Sequence, residues 1–153
     1  MTSGPAERGR IVVGVDGSPA AAQALRWAVS LGRLSGQEVH AVSAWMPPTA
    51  YGWGPIIDDV DWEENGRTVL AQAVDETLDG ADAALVRQEV VRGHPAQVLM
   101  DAAHDAALLV VGNRGRGGFT GMLLGSVSQH VIAHAPCAVL VVHDDDSPPA
   151  AHP

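Results

Sequence analysis

Ten consecutive residues, Gly112, Asn113, Arg114, Gly115, Arg116, Gly117, Gly118, Phe119, Thr120 and Gly121, carry five glycines, and the segment runs on to Gly125 and Ser126. Glycine costs conformational entropy on folding, so this density needs a reason, and close approach of backbone to a ligand is a common one. The surroundings indicate the ligand's charge. From Ala106 to His143, 38 residues, there is no carboxylate, although 18 acids among 153 residues would place about four or five there if spread evenly. Arg114 and Arg116 are the only full charges in that stretch. A loop of bare N–H groups, cleared of negative charge and leading into a helix start, is an anion site of the kind phosphates occupy. The competing reading is a solvated loop before an ordinary helix, since Ser126 and Gln129 have the spacing of a capping box.

Other residues with chemical potential are fewer. Asp16 follows an apolar run and can accept ribose hydroxyls, or it can orient the turn before Ser18. His130 and His134 have the i, i+4 spacing of two metal ligands, but Val131 stands where a zincin would have its glutamate and no third ligand is evident. Helix-terminal histidines aided by the dipole are the preferred reading, and no metal site is expected. Cys137 opens an apolar strand and reads as buried and inert. Spacing alone joins no serine, histidine and acid into a triad.

These groups are positioned by alternating strand and helix patterns. Ile11 to Val15 reads as a buried strand, followed by Asp16, Gly17, an N-cap at Ser18 and a proline at the first helical position. The next helix repeats apolar residues at Ala21, Ala24, Leu25, Ala28 and Val29, the spacing of one helix face. Glu38 to Trp45 is a second strand, and residues 46–61 form a long loop with three prolines and two glycines. A helix through Leu70, Ala73, Val74, Thr77 and Leu78 leads to a third strand, Leu85 to Val91, whose Arg87, Gln88 and Glu89 suit an edge. Pro95 starts another helix, Ala106 to Val111 is a wholly apolar fourth strand, a helix covers about Ser126 to His134, and Cys137 to His143 is the fifth strand. Five strands alternating with four helices predict an α/β fold, an open parallel sheet with helices on both faces. Ligands then bind at the carboxyl ends of strands, where strand order reverses, and Asp16 and Gly112 share that crevice if the first and fourth strands are neighbours. Residues 1–9 and the acidic segment 144–153 read as disordered tails around a single domain, 10–143.

Composition bounds the chemistry. The formal charge of −9 gives no general attraction for phosphodiester backbones, so no nucleic-acid partner is expected. All nine basic residues are arginine, which excludes Schiff-base chemistry and the Walker A lysine. The longest apolar runs are about a third of a membrane helix, and the first ten residues hold no apolar leader, so the expectation is a cytoplasmic chain with no membrane partner. One cysteine allows no internal disulfide.

The spacing Gly112, two residues, Gly115, nine residues, Gly125, Ser126 resembles the G-x2-G-x9-G-S/T signature of the ATP-binding branch of the universal stress protein family. Val13-Gly14-Val15-Asp16-Gly17-Ser18 and Leu123-Leu124-Gly125-Ser126-Val127-Ser128 through Ala135-Pro136-Cys137 are similar to the same family, so the likeness covers Arg10 to His143. The resemblance implies a Rossmann-like sheet of the adenine nucleotide alpha hydrolase type, order 3-2-1-4-5. It implies ATP, with or without Mg2+, or another adenine nucleotide as ligand. Gly14 and Asp16 would line the nucleoside pocket, Val42 would meet adenine through its main chain, and Gly93 would border it. Gly112, Asn113, Arg114, Gly115, Arg116, Gly125, Ser126, Val127 and Ser128 would hold the phosphates. The family's long second loop varies, so the resemblance assigns Tyr51 and Trp53 no role; packing or a dimer contact is preferred over adenine stacking. The leading expectation is a nucleotide-dependent stress-response regulator and not a fast enzyme; a slow ATPase or phosphotransferase and an adenine-nucleotide scaffold are the alternatives. In the 3-2-1-4-5 order the apolar fifth strand is an exposed edge, which predicts a homodimer through it.

Overall fold

The computed structural model describes residues 9–47, 61–115 and 124–149. The chain runs β1 (Arg10–Gly14), α1 (Pro19–Ser35), β2 (Val39–Trp45), α2 (Trp62–Thr77), α3 (Gly80–Ala83), β3 (Val86–Arg92), α4 (Pro95–Ala102), a 3-10 turn (Ala103–Asp105), β4 (Ala106–Gly112), α5 (Ser126–His134) and β5 (Ala138–Val142). Local chemistry sets the helix ends. Ser18 Oγ accepts from Ala21 N and Pro19 occupies the first helical position of α1, so two of the helix's orphan donors are dealt with at once. At the other end Gly36 adopts φ +75°, a left-handed C-cap that its N–H closes onto the Gly32 carbonyl. Asp61 caps α2 by accepting from Glu64 N, with Glu63 and Glu64 against the positive end of the dipole.

All strand pairs are parallel and the order is β3-β2-β1-β4-β5, so β1 and β4 are the neighbours that the crevice requires. Strand alternation divides the apolar residues between two cores. Ile11, Val13 and Val110 join Leu25, Val29, Leu70 and Val74 beneath α1 and α2. Val12, Val42, Leu109 and Val111 join Val98, Leu99 and Val131 beneath α4 and α5. Because β1 and β4 are central and covered on both faces, their continuous apolar runs carry no polar alternation. On β3, Arg87, Gln88 and Glu89 are exposed at the sheet edge, as those side chains predict.

Two local readings change. Strand limits move by a residue or so, and α3 was not foreseen: Asp79 accepts from Asp82 N and nucleates one turn inside what reads as a connection. Ser126 is not a capping-box residue. Gly125 takes the N-cap place and, among the described residues, no side chain caps α5, while the Gln129 amide donates to the Leu124 carbonyl. Beyond β5, Trp27 Nε1 of α1 donates to the Asp146 carbonyl at 2.7 Å, contacts that a reading of 144–153 as a tail does not consider. Tyr51, Trp53 and most of the 46–61 loop lie outside the described residues.

Candidate functional site

At the carboxyl ends of β1, β2 and β4 lies a cavity of about 450 Å³. Its walls come from the β1–α1 turn, the end of β2, the starts of α4 and α5, and the glycine loop after β4. Of the residues singled out in the sequence, Gly14, Asp16, Val42, Gly112, Arg114, Gly115, Gly125, Ser126, Val127 and Ser128 all line it. Arg116 lies outside the described residues. Gly93 and Asn113 are described but are not among the lining residues.

The glycines do different things. None of Gly112, Gly115 and Gly125 has a positive φ, so left-handed backbone is not what they supply. At Gly112 a Cβ would fall 2.7 Å from Ala20 Cβ and 2.8 to 2.9 Å from the backbone of Ala20 and Ala21. That glycine lets β4 end against the first turn of α1. At Gly115 a Cβ would fall 2.6 Å from Asp16 Oδ2, so the absent side chain makes room for the carboxylate. Gly93 adopts φ +146° and donates its N–H to the Trp45 carbonyl, a backbone requirement next to the site and not a lining contact.

Asp16 is exposed, and its Oδ1 accepts from Ser18 N at 2.9 Å. The turn-orienting role therefore exists, and the same carboxylate borders the cavity at Gly115. Val42 is buried at 2 % exposure, and its carbonyl accepts from Val15 N at 3.0 Å. Asn113 joins the ends of the site: its N–H donates to the Val142 carbonyl, and its carbonyl accepts from Gly125 N at 2.7 Å. Ser128 is buried and donates its hydroxyl to the Gly112 carbonyl at 2.5 Å. A hydroxyl has one proton to donate, so that of Ser128 is spent on the fold and not on a phosphate. Ser126, by contrast, is exposed at the first helical position beside the uncapped N–H groups of α5.

Sequence inspection missed the apolar part of the wall. Val15, Ala21, Ala44, Pro95, Leu99 and Val111 line the cavity together with Ser18 and Ser43. The signal for Leu99 lay in its packing position: it is 6 % exposed and meets Gly14 so closely that a Cβ there would sit 2.9 Å from its Cδ1. Cys137 is partly exposed, with burial pushing its thiol pKa up, which keeps it protonated. The His130 and His134 rings are tilted at 52° to each other with centroids 4.8 Å apart, and among the described residues no group of three or more His, Cys, Asp or Glu side chains could hold a metal ion.

The model of the universal stress protein family matches residues 7–143. Universal stress protein Rv2623 of Mycobacterium tuberculosis is 37 % identical over 161 residues, covering 96 % of this chain and 51 % of its own length. The chain thus spans about half the length of the curated relatives it matches. Among solved structures, a universal stress protein in complex with cAMP aligns at TM-score 0.64 and 29 % identity, covering 90 % of this chain and 98 % of that one. Universal stress protein UspA from Lactobacillus plantarum aligns at TM-score 0.71 and 27 % identity over 89 % and 98 % of the two chains.

Proposed function

Since this chain belongs to the universal stress protein family, we propose that it is an ATP-binding stress-response regulator in which nucleotide occupancy changes its contacts with partners. The observation that carries this reading is the cavity at the strand ends, where a carboxylate, an apolar wall and an uncapped helix N-terminus meet. Its volume falls within the range of small-ligand pockets. Adenine enters the apolar wall between Val42, Ala44 and Leu99, where it meets the main chain of Val42. Asp16 Oδ2 accepts from ribose. The phosphates lie against Arg114, Gly115 and the N–H groups at the start of α5, where the dipole favours anions. Ser126 adds its hydroxyl, and Arg116 follows in sequence. Magnesium, where present, would come with the phosphates, and Asp16 is the carboxylate of the cavity wall that would help to hold it.

The cAMP complex of a 29 % identical neighbour favours a second occupant of the same pocket, an adenosine monophosphate or cyclic nucleotide. Heat-denaturing the purified protein and identifying released nucleotide by mass spectrometry separates the two, with calorimetric titration of ATP, AMP and cAMP ranking them. Failure to bind any adenine nucleotide overturns the reading. As a binder, the protein turns ATP over far below the median enzyme rate of roughly 10 per second. Multiple turnovers per second with magnesium, lost in Asp16→Ala, point instead to a phosphoryl-transfer enzyme. We further assign the protein to the cytoplasm, in keeping with the finding that no helix among the described residues is long and apolar enough to cross a membrane. The β5 edge is its homodimer interface.

A further inference from the structure

The 38 residues without a carboxylate end at His143, and three aspartates follow directly. Their placement is set by the sheet. The β4–β5 ladder ends with Gly112 opposite Val142, and Arg114 and Asp144 each follow two residues beyond that last pair. Arg114 Nη2 lies 3.7 Å from Asp144 Oδ2, with the two side chains 35 % and 48 % exposed. Arg114 also lines the cavity.

Asp144 is held there from both sides. Asn113 N bonds the Val142 carbonyl ahead of it. After it, Asp146 N closes a turn onto the His143 carbonyl, and the Asp146 carbonyl accepts from Trp27 Nε1 of α1 at 2.7 Å. Ser147 Oγ approaches Gln23 Oε1, again on α1. A carboxylate on a turn anchored at both ends is a standing neighbour of Arg114 and not a chance collision of two mobile side chains.

We propose that Asp144 is a specificity-determining residue of the nucleotide pocket: an intramolecular counter-ion of Arg114 that a ligand phosphate must displace or share. This inference rests on the nucleotide reading of the cavity. An incoming phosphate meets an arginine already neutralised, and it meets repulsion from a carboxylate next to the site. Both penalties grow with ligand charge, so Asp144 weakens binding of ATP more than that of AMP or cAMP and leaves adenosine unaffected. A pocket whose backbone and dipole favour phosphates is in this way held back from binding the most highly charged ones indiscriminately.

The test is calorimetric titration of wild type, Asp144→Asn, Arg114→Gln and the double variant with ATP, AMP, adenosine and inorganic tripolyphosphate. Asp144→Asn is near-isosteric and sits on an exposed turn, so unliganded melting temperatures serve as the folding control. Expected is a gain in ATP and tripolyphosphate affinity of about two- to five-fold, the range of a partly exposed ion pair. AMP gains less, adenosine does not change, and the ATP gain shrinks in high salt as screening sets in. In the Arg114→Gln background the gain from Asp144→Asn falls, because the competition for Arg114 is gone. ATP binding by wild type that is unchanged or weakened by Asp144→Asn overturns the counter-ion role alone. A gain equal for ATP and adenosine overturns it too, since that pattern reports a structural change. Tripolyphosphate binding without adenine-nucleotide selectivity overturns the nucleotide reading but still measures Asp144; binding of neither overturns both.

Discussion

Ser126 and Ser128 sit two positions apart at the start of α5, and the structure gives them separate work. Ser128 is buried with its proton committed to the Gly112 carbonyl, whereas Ser126 is exposed on the cavity wall and caps nothing. Ser128→Ala therefore costs stability, about 1 to 3 kcal/mol for a buried carbonyl left without its donor, read as a lower denaturation midpoint. Ser126→Ala leaves stability within about 0.5 kcal/mol, as exposed substitutions do. Its ATP affinity drops on the order of 10- to 150-fold if the hydroxyl donates to a phosphate oxygen, as proposed. Calorimetry and chemical denaturation on the two variants, showing both effects in one residue or neither, would dismiss that division of roles. Cys137 supplies a second measurement at this scale. Burial raises its thiol pKa, so less thiolate is present at neutral pH, and alkylation at pH 7.5 proceeds more slowly than for an unstructured cysteine peptide. Labelling as fast as the peptide would refute it.

At the level of elements, the glycine loop joins two requirements that look alike in sequence. Gly112 is required by the packing of β4 against α1, and Gly115 by the Asp16 carboxylate. Gly112→Ala forces a methyl into backbone and costs about 1 to 3 kcal/mol of overpacking, so melting falls first and any ligand loss is secondary. Gly115→Val displaces Asp16 from the cavity while the core is untouched, so circular dichroism stays that of the native fold and ATP affinity drops about ten-fold or more, the loss of a charged hydrogen bond. The reverse pattern would mean that the two glycines have been assigned the wrong way round. The strands and long helices were legible because their apolar periodicity reports burial directly: Val12 and Val13 face different cores, and α1 shows its cap and its proline. The charge-free stretch also pointed to a loop of which the described glycines, Gly112, Gly115 and Gly125, line the cavity. What could not be read is what depends on distant contacts. The spacing of Ser126 and Gln129 fits a capping box, but the chain enters α5 one residue earlier, at Gly125. Leu99 looks like an ordinary core residue, and Pro95 like a helix start, until α4 docks beside β1 and β2.

For the whole molecule, the two free edges of the sheet differ in kind. β3 presents Arg87, Gln88 and Glu89 to solvent, charged and polar side chains that discourage pairing with another strand. β5 presents Ala138, Val139, Leu140 and Val141, with Ala138 exposed and the next three half-buried in the isolated chain. An apolar edge with unpaired backbone groups pairs with another chain unless it is covered, and a second copy offers the same edge in self-complementary form. The proposed homodimer therefore forms through β5 and leaves β3 free. Val141→Asp places a carboxylate in that edge and should shift the population to monomer in light scattering at micromolar concentration. Because Val141 also packs partly against the α4–α5 core, Ala138→Asp is the cleaner partner variant: its side chain is exposed in the monomer, so a loss of dimer without a loss of melting temperature isolates the interface. Glu89→Lys on the opposite edge should leave the dimer intact. A wild-type protein that scatters as a monomer, or a dimer broken by Glu89→Lys and indifferent to Ala138→Asp, would put the contact elsewhere on the molecule.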